Sequence, residues 1–104
     1  MRTTTNTHDF KIGDILYTSW GYDQTNIDFY QVVKITKATI GVRRIASDLT
    51  VTGIMCGYVT ARPNEFIHDE VWTKRPDRHG HVRIASYAAA IKWDGLPKYC
   101  SWYA

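Results

Sequence analysis

The sequence predicts a mainly β protein, a small SH3-like antiparallel barrel with one or two short helical turns. Three observations lead there: apolar, β-branched and aromatic residues come in short runs, several runs alternate with polar residues, and clusters of Gly, Pro, Asn and Asp separate them. About six short strands with little helix between them suit a small barrel better than a layered α/β fold.

The first strand is expected from Asp14 to Tyr22, a stretch rich in β-branched and aromatic residues. SWGYDQTN, residues 19–26, then holds turn formers, because Asp and Asn side chains bond the backbone just ahead of them. Ile27 to Ile35 alternates, with Ile27, Phe29, Val33 and Ile35 on one face and Asp28, Tyr30 and Lys34 on the other. A third strand, Ile40 to Ile45, slips its alternation at Arg43 and Arg44, which fits a bulge or an edge. Gly53 to Thr60 has strand composition and is ended by Pro63. Val71 to Arg75 and His81 to Ala85 flank PDRHG, residues 76–80, and read as a β-hairpin with a five-residue turn. NEFIHDEV from Asn64 and SYAAAIKW from Ser86 are the two places where a turn or two of helix is expected. The last twelve residues, with Trp93, Tyr99, Trp102 and Tyr103, are expected to close the barrel.

At 104 residues the chain is one domain, and 44% hydrophobic with 22% charged residues is the balance of a folded protein. Residues 1–10, MRTTTNTHDF, read as a flexible N-terminal arm and residues 11–104 as a single SH3-like β domain. The arm has no apolar block of the signal-peptide kind and no run approaches the ~20 apolar residues of a membrane span, so a cytoplasmic protein with no membrane association is expected. Cys56 and Cys100 lack metal-site spacing and read as free thiols.

The formal charge of +3 is concentrated. WTKRPDRHGHVR, residues 72–83, holds Lys74, Arg75, Arg78 and Arg83 against Asp77, while the rest of the chain has nine basic and nine acidic residues. A local excess of this kind suits phosphate contacts, with the adjacent Trp72 available for stacking. The alternative is a solvated hairpin whose charges protect an edge. A second expected binding surface borders the SWGYDQTN loop: Trp20, Tyr22 and Tyr30 as an aromatic platform, with Asp23, Gln24 and Asn26 as polar neighbours. Against it stands the reading in which Trp20 packs in the core and the polar residues cap the turn.

GDILYTSWGYDQTNIDFYQVVKIT, residues 13–36, resembles a group of small uncharacterised proteins of bacteriophages and other mobile elements, in which a GDI start, an SWGYDQTN block and an FYQVV strand occur together. Trp93, Asp94, Gly95 and Pro97 fit the same pattern. The resemblance implies a phage or plasmid accessory protein and brings no activity onto particular residues.

Enzyme chemistry has little support. His79 and His81 would share a strand face and could meet His68, Asp69 or Glu70 at a metal, but histidines beside a turn are more commonly solvated. Asp23 and Asp28 have no accompanying base, nucleophile or glycine-rich phosphate loop. The sequence therefore predicts a non-enzymatic binding module with no cofactor and no metal, whose partner is nucleic acid or a nucleoprotein complex. The alternatives are a protein-binding inhibitor of a host defence system and, third, a small metal-dependent hydrolase.

Overall fold

The computed structural model describes residues 10–21, 25–77, 79–85 and 88–101. They form eight strands: β1 (Ile15–Trp20), β2 (Asn26–Ile35), β3 (Ile40–Gly53), β4 (Cys56–Phe66), β5 (Trp72–Lys74), β6 (Val82–Ala85), β7 (Ala88–Lys92) and β8 (Lys98–Ser101). Pairing is antiparallel throughout, in the order β6-β7-β1-β2-β3-β4-β8, with β5 added beside the start of β3.

The β1–β2 and β2–β3 pairs form as their residues suggest. Trp20 lies opposite Asn26 and Ile15 opposite Gln31. Between β2 and β3, Thr36 Oγ1 accepts the Thr39 amide at 3.0 Å and the Thr36 amide donates to the Thr39 carbonyl at 2.9 Å. A hydroxyl that caps its own turn in this way sets the hairpin without glycine.

β2 carries the architecture because it is buried on both faces. Tyr30 and Val32 join Phe10, Leu16, Ile40, Val42, Val82 and Ala90 in one cluster, with Ile35, Trp72 and Ile84 against it. Phe29 joins Ile45, Val59, Ala61 and Cys100 in a second, flanked by Ile15, Tyr17, Ile27, Phe66 and Trp93. Even-numbered residues of β1, β2 and β3 face the first cluster and odd-numbered residues the second, so the two cores lie on opposite faces of one sheet. A register shift between Val32 and Lys34 makes Val33 the extra residue of a bulge, which is how Ile35 comes to face the first cluster.

This corrects the expected register. Tyr30 is 4% exposed, not on a solvent face, and the fully buried valine is Val32, with Val33 half-buried. Local alternation assumes one wet face, and a central strand between two cores has none.

The expected closed SH3-like barrel is corrected as well. Around the first cluster the sheet curls until β5 and β6 come near, yet they form no ladder: the Asp77 amide donates to the His81 carbonyl at 2.9 Å, and β6 pairs with β7 instead. Around the second, the Ser101 amide donates to the Thr25 carbonyl and the Thr25 amide to Ser101 Oγ, both at 3.0 Å, without continuing as strands. Two oppositely facing, unclosed curls share β2 and β3. The expected β5–β6 hairpin is thus a tight turn joining strands with different partners, and β8, expected to close the barrel, pairs with β4.

No helix forms among the described residues. Asn64–Phe66 ends β4, and Ala88–Lys92 of the alanine-rich segment is β7. Its alanines have tertiary partners: Ala90 lies fully buried opposite Val82, and short-range helix propensity yields to that packing. Nor does Pro63 end β4. Ile45 pairs with Phe66 but Ser47 with Ala61, so residues 62–65 bulge out of the ladder, where a proline removes no needed donor. Buried Gln31 pins this bulge, donating from Nε2 to Asn64 Oδ1 at 2.9 Å and accepting the Asn64 amide at 2.8 Å. Asn64 itself has a φ of 68°, a left-handed conformation asparagine tolerates better than most residues.

Phe10, placed by sequence in the N-terminal arm, is 2% exposed and belongs to the first core; residues 1–9 of that arm lie outside the described residues. β3 and β4 run well past their expected ends into a projecting ribbon, and the molecule measures 52 × 26 × 26 Å. Among the described residues, no helix is long and apolar enough to cross a membrane.

Candidate anion-binding surface

Residues 77–81 form a turn organised by one carboxylate. Asp77 Oδ1 accepts the amides of His79 at 2.8 Å and His81 at 2.9 Å, while the Gly80 amide donates to the Asp77 carbonyl at 3.1 Å. Gly80 has a φ of 81°, which glycine adopts without side-chain strain. The backbone N–H of His81, with that of His79, holds the Asp77 carboxyl below the usual value of 3.8. With the carboxylate engaged in this way, the turn presents its two imidazoles outward, their rings 6.2 Å apart.

Two recesses flank the turn. One, of 340 Å³, is lined by Phe10, His79, Gly80, His81, Ile91 and Lys92. The other, of 300 Å³, is lined by Arg75, Asp77, His81, Arg83 and Ala89. His81 borders both. Lys92 Nζ sits 5.0 Å from the centre of the Phe10 ring and 3.8 Å from Asp14 Oδ2, so one wall combines a cation with an aromatic face. Arg75, Arg83 and Lys92 outnumber Asp77 and Asp14 here, an arrangement suited to phosphate or carboxylate oxygens.

The residues predicted from sequence separate into groups. Arg75 and Arg83 meet at the second recess. Lys74 is half-buried opposite Ile40, and Trp72 packs its ring 5.8 Å from Tyr30 in the first core, so neither extends the basic surface as expected. Arg78 lies outside the described residues. The aromatic platform is corrected outright, because Tyr30 is core and stands four residues along the paired strands from the Trp20–Asn26 end. Trp20 is half-buried and donates from Nε1 to Asp28 Oδ2 at 2.9 Å, and Asp28 Oδ1 in turn accepts from Arg44. Asn26 is half-buried opposite Trp20. Tyr22, Asp23 and Gln24 lie outside the described residues, as do Trp102 and Tyr103.

Among the described residues no three His, Cys, Asp or Glu side chains are grouped to hold a metal ion. The segment expected to supply a third ligand is held elsewhere: Arg43 donates to the His68 carbonyl at 2.9 Å and to Asp69 Oδ1 at 3.3 Å. Cys56 and Cys100 are free thiols, and burial pushes the Cys100 thiol above its usual value, which disfavours the reactive thiolate.

Phe10, Ile91 and Lys92 were not legible as site residues. Ile91 and Lys92 reach the turn through the β7–β1 and β6–β7 ladders and Phe10 from the chain ahead of β1, and no local spacing signals that. A third recess, of 420 Å³, lies on the projecting ribbon between Thr50, Tyr58, Thr60 and Pro97. It has no charged lining residue and differs in kind from the basic pair. Comparison with protein-family models, curated protein sequences and solved structures found no match.

Proposed function

We propose that the chain is a non-enzymatic binding protein that holds a phosphate-bearing partner on the surface around the 77–81 turn, with nucleic acid, free or in a nucleoprotein complex, as the partner class. The observation that carries this reading is the pair of adjoining recesses that share His81 and bring Arg75 and Arg83 on one side, His79 and Lys92 on the other, to a single turn. Two shallow basic recesses in succession fit a polyanion followed along its backbone. The two free thiols are in keeping with a reduced, cytoplasmic setting, and a phage or other mobile element is the proposed origin.

A second reading, a protein-binding inhibitor of a host defence system, is favoured by one specific observation: the ribbon exposes Leu49, Val51, Ile54 and Tyr58, and β8 beside it exposes Tyr99. The two readings use different surfaces and are separable. Fluorescence anisotropy of labelled single-stranded and duplex oligonucleotides, titrated across salt concentrations, tests the first. Arg75→Glu with Arg83→Glu is expected to weaken binding and to flatten its salt dependence by about 0.7–0.9 for each phosphate no longer engaged, with the thermal midpoint as the check on folding. Lys34→Glu, in neither recess, is expected to change binding far less. No measurable affinity for any of these nucleic acids at low salt, where electrostatic binding is strongest, would remove the nucleic-acid reading and leave the protein-inhibitor reading.

A further inference from the structure

β3 outlasts its first partner. Its ladder with β2 ends at the Phe29–Ile45 pair and its ladder with β5 covers Ile40 to Val42, whereas β4 accompanies it from Ser47 to Gly53. Among the described residues, no strand pairs the other side of β3 from Ser47 to Gly53. This open edge belongs to a ribbon whose residues 49–60, LTVTGIMCGYVT, contain no charged side chain. Natural edge strands are commonly protected by charged side chains, proline or shortness, and between Ser47 and Gly53 Asp48 is the single such device.

The direction of the open hydrogen-bonding groups follows from Gly57. A Cβ at that position would collide with the Thr50 carbonyl oxygen, so the Thr50 backbone faces β4. By the alternation of a β-strand, the N–H and C=O of Leu49 and Val51 face the open side. From this geometry we infer that β3 is a self-association edge, pairing antiparallel with β3 of a second copy of this chain about a two-fold axis at Thr50.

The sequence is complementary to itself in that register. Leu49 meets Val51 of the other copy and exchanges both backbone bonds with it, twice by symmetry, and the apolar side chains fall on the same face. Thr50 meets its own symmetry mate. Asp48 falls opposite Thr52, so no like charges oppose each other, and Arg62 Nε lies 3.6 Å from Asp48 Oδ1. The irregularity in the β3–β4 ladder sits between Val51 and Gly53, beyond the four exchanged bonds.

The tip supports the same occupant. Ile54 is 91% exposed, and Met55 adopts a φ of 56° where glycine or asparagine would be less strained. Apolar residues stand at a turn where local chemistry favours polar ones. In the paired register Ile54 falls opposite Ala46 of the other copy and Met55 follows it at the tip. Leu49, Val51, Ile54 and Met55 with the strand edge make an interface smaller than the roughly 1,200–2,000 Å² of stable complexes, so a weak, reversible dimer is expected. An edge whose single charge, Asp48, has Arg62 beside it also avoids the repulsion that two chains of charge +3 would meet elsewhere.

Sedimentation velocity from about 5 to 500 μM is the test, with a monomer–dimer equilibrium expected across that range. Val51→Pro removes an outward N–H without touching the β4 ladder and is expected to be monomeric at every concentration with a near-native thermal midpoint. Val51→Lys, which keeps the backbone intact, must give the same loss should the proline variant fail to fold. Thr50→Cys in a Cys56→Ser background should form an intermolecular disulfide on oxidation, because non-hydrogen-bonded partners place their Cα atoms about 4.5 Å apart. A wild-type monomer at 500 μM would overturn the inference. So would a dimer that survives both Val51 changes, a dimer that Thr50→Cys does not crosslink, or open-ended assembly in place of a dimer.

Discussion

Replacing Gln31 by Leu should destabilise the protein by about 2 kcal/mol, and the reason lies in the β4 bulge. Gln31 is buried in β2 and makes two hydrogen bonds to Asn64, one to its side chain and one from its amide. Each such bond contributes about 0.5–1.5 kcal/mol net, giving about 1–3 kcal/mol for the pair. Leucine nearly matches the volume, so the cavity penalty is small, and exposed Asn64 regains water, which holds the cost near the middle of that range. For a domain of this size about 2 kcal/mol lowers the thermal midpoint by about 10 °C. Asn64→Gly loses one of the two bonds but relieves the φ of 68°, so its net change should stay within about 1 kcal/mol. Urea unfolding of both single variants and the double variant should give a coupling of about 1 kcal/mol, the bond between the two side chains. Hydrogen exchange at the Asn64 amide should accelerate in Gln31→Leu. Wild-type stability in Gln31→Leu, or no coupling in the cycle, would refute the role of Gln31 as the clasp of the bulge.

Two further outcomes follow from the structure. Val32→Ala, at a fully buried position, should cost about 2 kcal/mol and Val33→Ala, at the bulge, less than about 1 kcal/mol; urea midpoints in the reverse order would mean that the bulge is misplaced. Asp77 should make the 77–81 turn acid-sensitive: a carboxyl whose folded pKa lies below its usual value contributes stability that is present above about pH 4 and is lost as pH falls through the lowered pKa. Amide NMR shifts of His79 and His81 should therefore move below about pH 4 in wild type and stay constant in Asp77→Asn, which keeps an acceptor oxygen; shifts that do not move between pH 5 and 2 in wild type would contradict the assignment.

β character was legible residue by residue, because Val, Ile, Thr and aromatic runs between turn formers report a local backbone preference, and β1, β2 and the 77–81 turn stand close to where those signals put them. The excess charge of residues 72–83 was equally a property of the chain alone, and it led to Arg75 and Arg83. What the sequence left open, beyond the β1–β2 and β2–β3 hairpins, was how strands distant in the chain pair and which faces they bury. Tyr30, Trp72 and Val32 owe their burial to β2 lying between two cores, a fact that alternation within one strand cannot encode. Ala88–Lys92 became strand because β1 and β6 supplied partners, and Lys92 joined the basic turn for the same reason. Residue types set the local conformations, but long-range pairing decides which faces meet and which edge of β3 stays open, since those contacts gain their free energy from segments far apart in the chain.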